Sequence, residues 1–144
     1  MPDHSPLESL FHLVHTVKRR LHQQAGQLDL DITPMHIRVI KIIHRKTPCT
    51  AIDIASFLGR DKAQVTRLLN TLIEKGLISR EPNPGDKRSH YLRTTEAGDT
   101  IADAIRKIDE ETLQLMTQNL KPEELAEFRR ITRLMAENLH SEEG

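Results

Sequence analysis

Residues 50–76 read TAIDIASFLGRDKAQVTRLLNTLIEKG, and this stretch decides the fold. Thr50 is a helix-capping residue. Asp53, three positions on, can return the hydrogen bond, a variant of the capping box. Ala51, Ile54, Ala55 and Leu58 recur at helical spacing, and Gly59 ends the run. Asp61 then caps a second helix, with Gln64 three residues later. Val65, Leu68, Leu69, Leu72 and Ile73 form its inner stripe. This helix is expected to run to Lys75, with Gly76 as its stop.

Beyond Gly76 the period shortens to two. Leu77 to Glu81 and Ser89 to Arg93 alternate as strands do. Between them lies Pro82-Asn83-Pro84-Gly85-Asp86-Lys87-Arg88. Pro-Gly at its centre predicts a type II turn with Gly85 at positive φ. The reading is a β-hairpin with a basic tip. Helix, short break, helix and hairpin is the order of a winged helix-turn-helix, in which the second helix can enter a major groove. Lys62, Gln64, Thr66, Arg67 and Asn70 are left for that helix's outer side. Gln pairs with adenine, Arg with guanine, and Thr and Lys suit bases or phosphates. An ordinary solvated helix face is the bland alternative. The basic hairpin that follows directly favours DNA.

Outward from this centre the chain is helical. Leu7, Leu10, Phe11, Val14, Val17 and Leu21 share one stripe, predicting a helix over about 6–26. Leu28 to Asp31 is a connector. Thr33 caps the next helix, with Pro34 at its first position and Val39, Ile40, Ile42 and Ile43 within it, and it ends before Pro48. Thr95 caps a long helix bearing Ile101, Ile105, Ile108, Thr112 and Leu115. Pro122 starts the last, with Leu125, Phe128, Thr132, Met135 and Leu139 aligned. Ser141 to Gly144 are expected to be disordered. The fold class is therefore mainly α with a small β-hairpin wing.

Charge supports this division. The 144 residues carry no net charge, but residues 60–93 hold eight basic and four acidic side chains, a net +4. Residues 96–144 carry −6 and residues 1–59 carry +2. A DNA-binding module beside a neutral-to-acidic assembly region has this profile. No run approaches the length of a membrane-spanning helix. No cationic start followed by an apolar run marks a signal peptide, so a cytoplasmic location is the default. The single Cys49 excludes an internal disulfide.

Other chemistries are weakly signalled. His12 and His15 are three apart and His36 and His44 eight apart, but no cysteine or closely spaced acid completes a metal set. No nucleophile elbow, phosphate loop or metalloprotease helix is present, so neither a catalytic residue nor a cofactor is assigned.

The chain resembles the MarR family of bacterial regulators. The resemblance rests on the run from Asp61 to Asn70, on Leu72 to Arg80 with its Gly76-Leu77-Ile78 strand start, on Asp86-Lys87-Arg88, and on Leu92 to Gly98. The layout extends it over nearly the whole chain, 1–144, as one domain. Residues 33–95 would be the DNA-binding lobe, and 1–32 and 96–144 the dimerisation helices. The resemblance implies a homodimer on a pseudo-palindromic operator in double-stranded DNA. The assigned DNA contacts are Arg60, Lys62, Ala63, Gln64, Thr66, Arg67, Asn70, Asp86, Lys87 and Arg88. Arg88 takes the minor-groove role of the family's wing arginine, and Asp86 either orients Arg88 or holds the wing backbone. It further implies repression relieved by a small molecule, such as an aromatic acid, with His12, His15, His36 and Ile40 as candidate effector residues. A constitutive regulator without a ligand and a winged-helix module for protein–protein assembly remain open alternatives. MarR-like peroxide sensors carry their cysteine in the first helix. Cys49 lies elsewhere and is read as a small semi-buried residue.

Overall fold

Side-chain caps set where the helices begin. The computed structural model describes residues 5–28 and 30–143. In it Ser5 caps α1 (Pro6–Gly26), accepting from the Glu8 N–H at 3.1 Å. Thr33 caps α2 (Pro34–Arg45), and Thr50 caps α3 (Ala51–Leu58) through a closed box with Asp53. Asp61 caps α4 (Lys62–Glu74). Strands β1 (Ile78–Pro82) and β2 (His90–Thr94) follow, then α5 (Glu96–Met116) and α6 (Pro122–Glu143). Thr95 caps α5, its hydroxyl taking the Gly98 N–H at 3.2 Å and donating to the Gly76 carbonyl at 2.6 Å.

The strands pair antiparallel, with Ile78 opposite Thr94 and Pro82 opposite His90. Both begin one residue later than the alternation suggests. The Leu77 N–H is withheld from the ladder, closing α4 onto the Leu72 carbonyl at 3.0 Å beside Gly76 at φ +72°, while the Leu77 carbonyl accepts from the Thr95 N–H at 3.0 Å. Ser141 to Glu143 continue α6 instead of fraying, and the Ser141 hydroxyl donates to the Glu137 carbonyl at 3.0 Å. Gly144 and Asp29 of the connector lie outside the described residues.

The chain divides into two compact units at Asp109/Glu110. The first holds the core. Val39, Ile40 and Ile43 of α2 meet Ile54 of α3, and Val65, Leu69 and Leu72 of α4. Leu77, Ile78, Leu92 and Ala102 complete the cluster. Cys49 joins it at 2% exposure, and its carbonyl accepts from the Leu92 N–H at 2.8 Å. That bond ties the α2–α3 junction to the wing. Burial pushes the Cys49 thiol pKa up to about 11, with Asp53 adding to the shift, so the thiolate is scarce near neutrality. Gly98 packs where no side chain fits, because a Cβ there would stand 2.1 Å from the Leu77 carbonyl oxygen.

The second unit contains the end of α5 and all of α6. Leu113, Leu115, Phe128, Met135 and Leu139 are exposed there. In the first unit α1 has no buried residue, and Leu7, Leu10, Phe11 and Val14 are exposed.

Candidate nucleic-acid interface

The break between α3 and α4 aims the second helix. Gly59 adopts φ +63°, a left-handed conformation, and the Arg60 N–H returns to the Ala55 carbonyl at 3.2 Å. Asp61 then accepts from the Gln64 N–H at 2.8 Å. The capping bond holds the carboxylate of Asp61 on the helix end and leaves cationic side chains in the first turns.

Burial fixes which face points outward. Val65, Leu69 and Leu72 are buried and Leu68 and Ile73 half-buried, whereas Lys62, Ala63, Gln64, Arg67 and Asn70 are exposed. Thr66 is half-buried, and its hydroxyl donates to the Lys62 carbonyl at 2.8 Å, leaving the oxygen only as an acceptor. Asn70 is engaged too. Its Oδ1 accepts from Arg80 Nη2 at 2.7 Å. Sequence reasoning does not single out Arg80, because only the packing of β1 beside α4 brings it to this surface.

A surface groove of about 360 Å³ runs along the start of α4, lined by Met35, His36, Arg60, Gln64, Arg67, Leu68 and Thr71. It brings the DNA candidates Arg60, Gln64 and Arg67 together with His36 of the effector set. His36 also closes the α2 capping box. Its Nδ1 accepts from the Thr33 N–H at 3.1 Å and meets Thr33 Oγ1 at 2.7 Å. Burial, then the Lys75 ammonium, lowers its pKa from the ordinary 6.5. Both effects favour the neutral ring that the cap requires. Ile40 is 1% exposed in the core, so a ligand reaches it only if the core opens. His12 and His15 are exposed on α1.

The wing tip is built from two consecutive turns. Asp86 N–H donates to the Asn83 carbonyl at 3.1 Å, and Ser89 N–H to the Asp86 carbonyl at 3.2 Å. Side chains stiffen both. Asn83 Oδ1 accepts from Gly85 N–H at 3.0 Å, and Asp86 Oδ1 from Arg88 N–H at 2.9 Å. Gly85 does not take the positive φ that a type II turn requires; among the described residues Gly59, Gly76 and Asn119 do. The asparagine side chain organises the turn in place of glycine's conformational freedom. Asp86 therefore holds the wing backbone, while Lys87 and Arg88 are exposed at the tip. At the wing's base Arg93 is paired with Glu81 at 2.6 Å.

Among the described residues no group of three or more His, Cys, Asp or Glu is placed to hold a metal ion. Nor is any described helix long and apolar enough to cross a membrane.

A helix presenting Gln and Arg beside a stiff basic hairpin, on this topology, defines a winged helix-turn-helix DNA-binding transcriptional regulator. The MarR family profile matches residues 32–90. The multiple antibiotic resistance protein MarR of Escherichia coli K12 is 33% identical over 122 residues, which cover 84% of each protein. A crystal structure of mutant MarR from E. coli complexed with operator DNA superimposes with a TM-score of 0.75 at 29% identity, covering 90% of this chain and 93% of that one. The S. aureus MepR–DNA complex gives a TM-score of 0.77 at 25% identity, covering 94% and 99%. The chain belongs to the MarR family.

Proposed function

We propose that the chain is a homodimeric repressor that binds a pseudo-palindromic operator in the cytoplasm and leaves it when a small molecule binds. The observation that carries the reading is the surface on which α4 presents Gln64 and Arg67 beside the rigid Lys87–Arg88 tip. Gln64 and Arg67 read base edges in the major groove. Lys62, Thr66 and Arg60 meet the backbone, and Ala63 allows close approach. Arg88 enters the minor groove, where a narrow, negative channel favours a guanidinium. The relatives solved with operator DNA and with DNA support the partner. The apolar stripes of α1 and α6 supply the surface for a second copy.

Footprinting of the DNA upstream of the chain's own coding region tests this. Two protected half-sites roughly 34 Å apart are expected, one helical turn. Protection of one asymmetric half-site counts against the dimeric reading. In the same assay Arg67→Ala should cost roughly 1–3 kcal/mol and relax preference at particular base pairs. Arg88→Ala should weaken most sequences and lower the salt slope by about one unit per subunit.

For the effector, the groove at His36 is the favoured location, since a ligand there would sit against Arg60, Gln64 and Arg67. His12, His15 and Ile40 are secondary candidates. Aromatic carboxylates are the first class to screen. Ligand and DNA should weaken each other by the same factor. A panel that leaves operator affinity and melting temperature unmoved would favour the constitutive alternative.

A further inference from the structure

We propose that Arg80 is a phosphate-backbone contact of the DNA interface, and that Asn70 is its positioning residue, not a reader of bases. This rests on the operator-binding reading above. Asn reads adenine by using its carbonyl oxygen and its amide NH2 together. Here Oδ1 already accepts a charge-assisted bond from Arg80 Nη2 at 2.7 Å, so an adenine would have to share that oxygen with a guanidinium.

Arg80 lies where a phosphate should pass. With α4 in a major groove and the wing tip in the adjacent minor groove, the sugar-phosphate strand separating the grooves runs between them. Arg80 occupies that interval. It stands on β1, which leads to the tip, and it is bonded to α4 through Asn70. Two residues earlier Ile78 is buried in the core, but Arg80 is exposed as the strand leaves it.

The charge at this position is undiminished. Arg93 on the neighbouring strand is held by the Glu81 carboxylate, whereas Arg80 is held by a neutral amide. One N–H serves Asn70, and the remaining donors of the planar fork suit phosphate oxygens. The Asn70 bond holds the long side chain in one place, reducing the entropy lost on binding.

A double-mutant cycle tests the proposal. Affinity is measured for Arg80→Ala, Asn70→Ala and the double variant on the protected upstream duplex, on single-base-pair variants of it, and across salt concentrations. Arg80→Ala should weaken every duplex by a similar factor, roughly tenfold or more, and lower the salt slope by about 0.9 per subunit. Asn70→Ala should weaken all duplexes less, and should add almost nothing once Arg80 is gone. Arg80→Gln keeps a donor for Asn70 but removes the charge. It should lose the same slope with an unchanged melting temperature, which separates charge from folding.

The proposal is overturned if Asn70→Ala changes preference at one base pair, if the two losses add, or if Arg80→Gln keeps the wild-type slope. If wild-type protein shows no salt-dependent binding to the duplex, the operator-binding reading falls as well. Wild-type binding with an unaltered Arg80→Gln variant sinks this assignment alone.

Discussion

The lobe spanning α2 to β2 and the apolar faces of α1 and α6 are built from similar residues but finished differently. In the lobe, Val39, Ile43, Ile54, Val65 and Leu72 are fully buried by neighbours within the same chain. On α1 and α6, Phe11 is 59% exposed, Phe128 48% and Leu139 70%. The lobe is a closed core and the helical ends are faces still to be covered. The contrast teaches that apolar periodicity reports only that a face must be buried. What buries it depends on where the chain folds back. The α2–α3–α4 turns return three helices onto one another. The stripes of the two terminal helices stay exposed within the chain.

The largest expected effect tests the closed region. Leu72→Ala should cost about 2–5 kcal/mol of stability at any protein concentration, measured by denaturant unfolding, because nothing can collapse into the cavity from solvent. A loss below about 1 kcal/mol would show that the lobe core is looser than its burial indicates. Gly98→Ala should follow, at about 1–3 kcal/mol, since the new Cβ meets the Leu77 backbone and not a movable side chain. Near-neutral stability in that variant would mean that the α5 start can shift away from β1.

Phe128→Ala sharpens the other half of the contrast. It should remove roughly 1 kcal/mol of association per subunit, weakening the dimer and making melting temperature depend more steeply on concentration. Light scattering and melting across a dilution series check this. A concentration-independent loss would assign Phe128 to the subunit's own core instead.

The smallest effect concerns His36. Its folded pKa lies below 6.5, so the unfolded chain takes up the proton first as pH falls. The contribution is fully present above pH 6.5 and is lost as pH drops from there through the folded value. His36→Gln keeps an acceptor for the Thr33 N–H but does not titrate in this range. Its melting temperature should fall less than the wild type's on acidification below pH 6.5. Parallel curves for the two proteins would remove His36 from the account.

Local chemistry makes much of the lobe readable. Thr33, Thr50, Asp61 and Thr95 cap the helices whose starts they mark in the sequence, because an N-cap satisfies amides only a few residues away. The exposed Gln64 and Arg67 are legible for a related reason: once the inner stripe of α4 is known, the opposite face follows from the helical period. The expected type II turn does not form because Pro-Gly competes with Asn83 and Asp86, whose side chains reach amides two residues ahead and settle the tip without positive φ.

What the sequence determined by itself is therefore everything governed by short-range geometry: the caps, the stops, the hairpin and the face that α4 turns outward. Tertiary structure decided the pairings made across chain distance. It placed Arg80 on Asn70, enclosed Ile40, joined Cys49 to Leu92 and set Gly98 against Leu77. Such contacts depend on how separate elements pack, and no residue's immediate neighbours encode them.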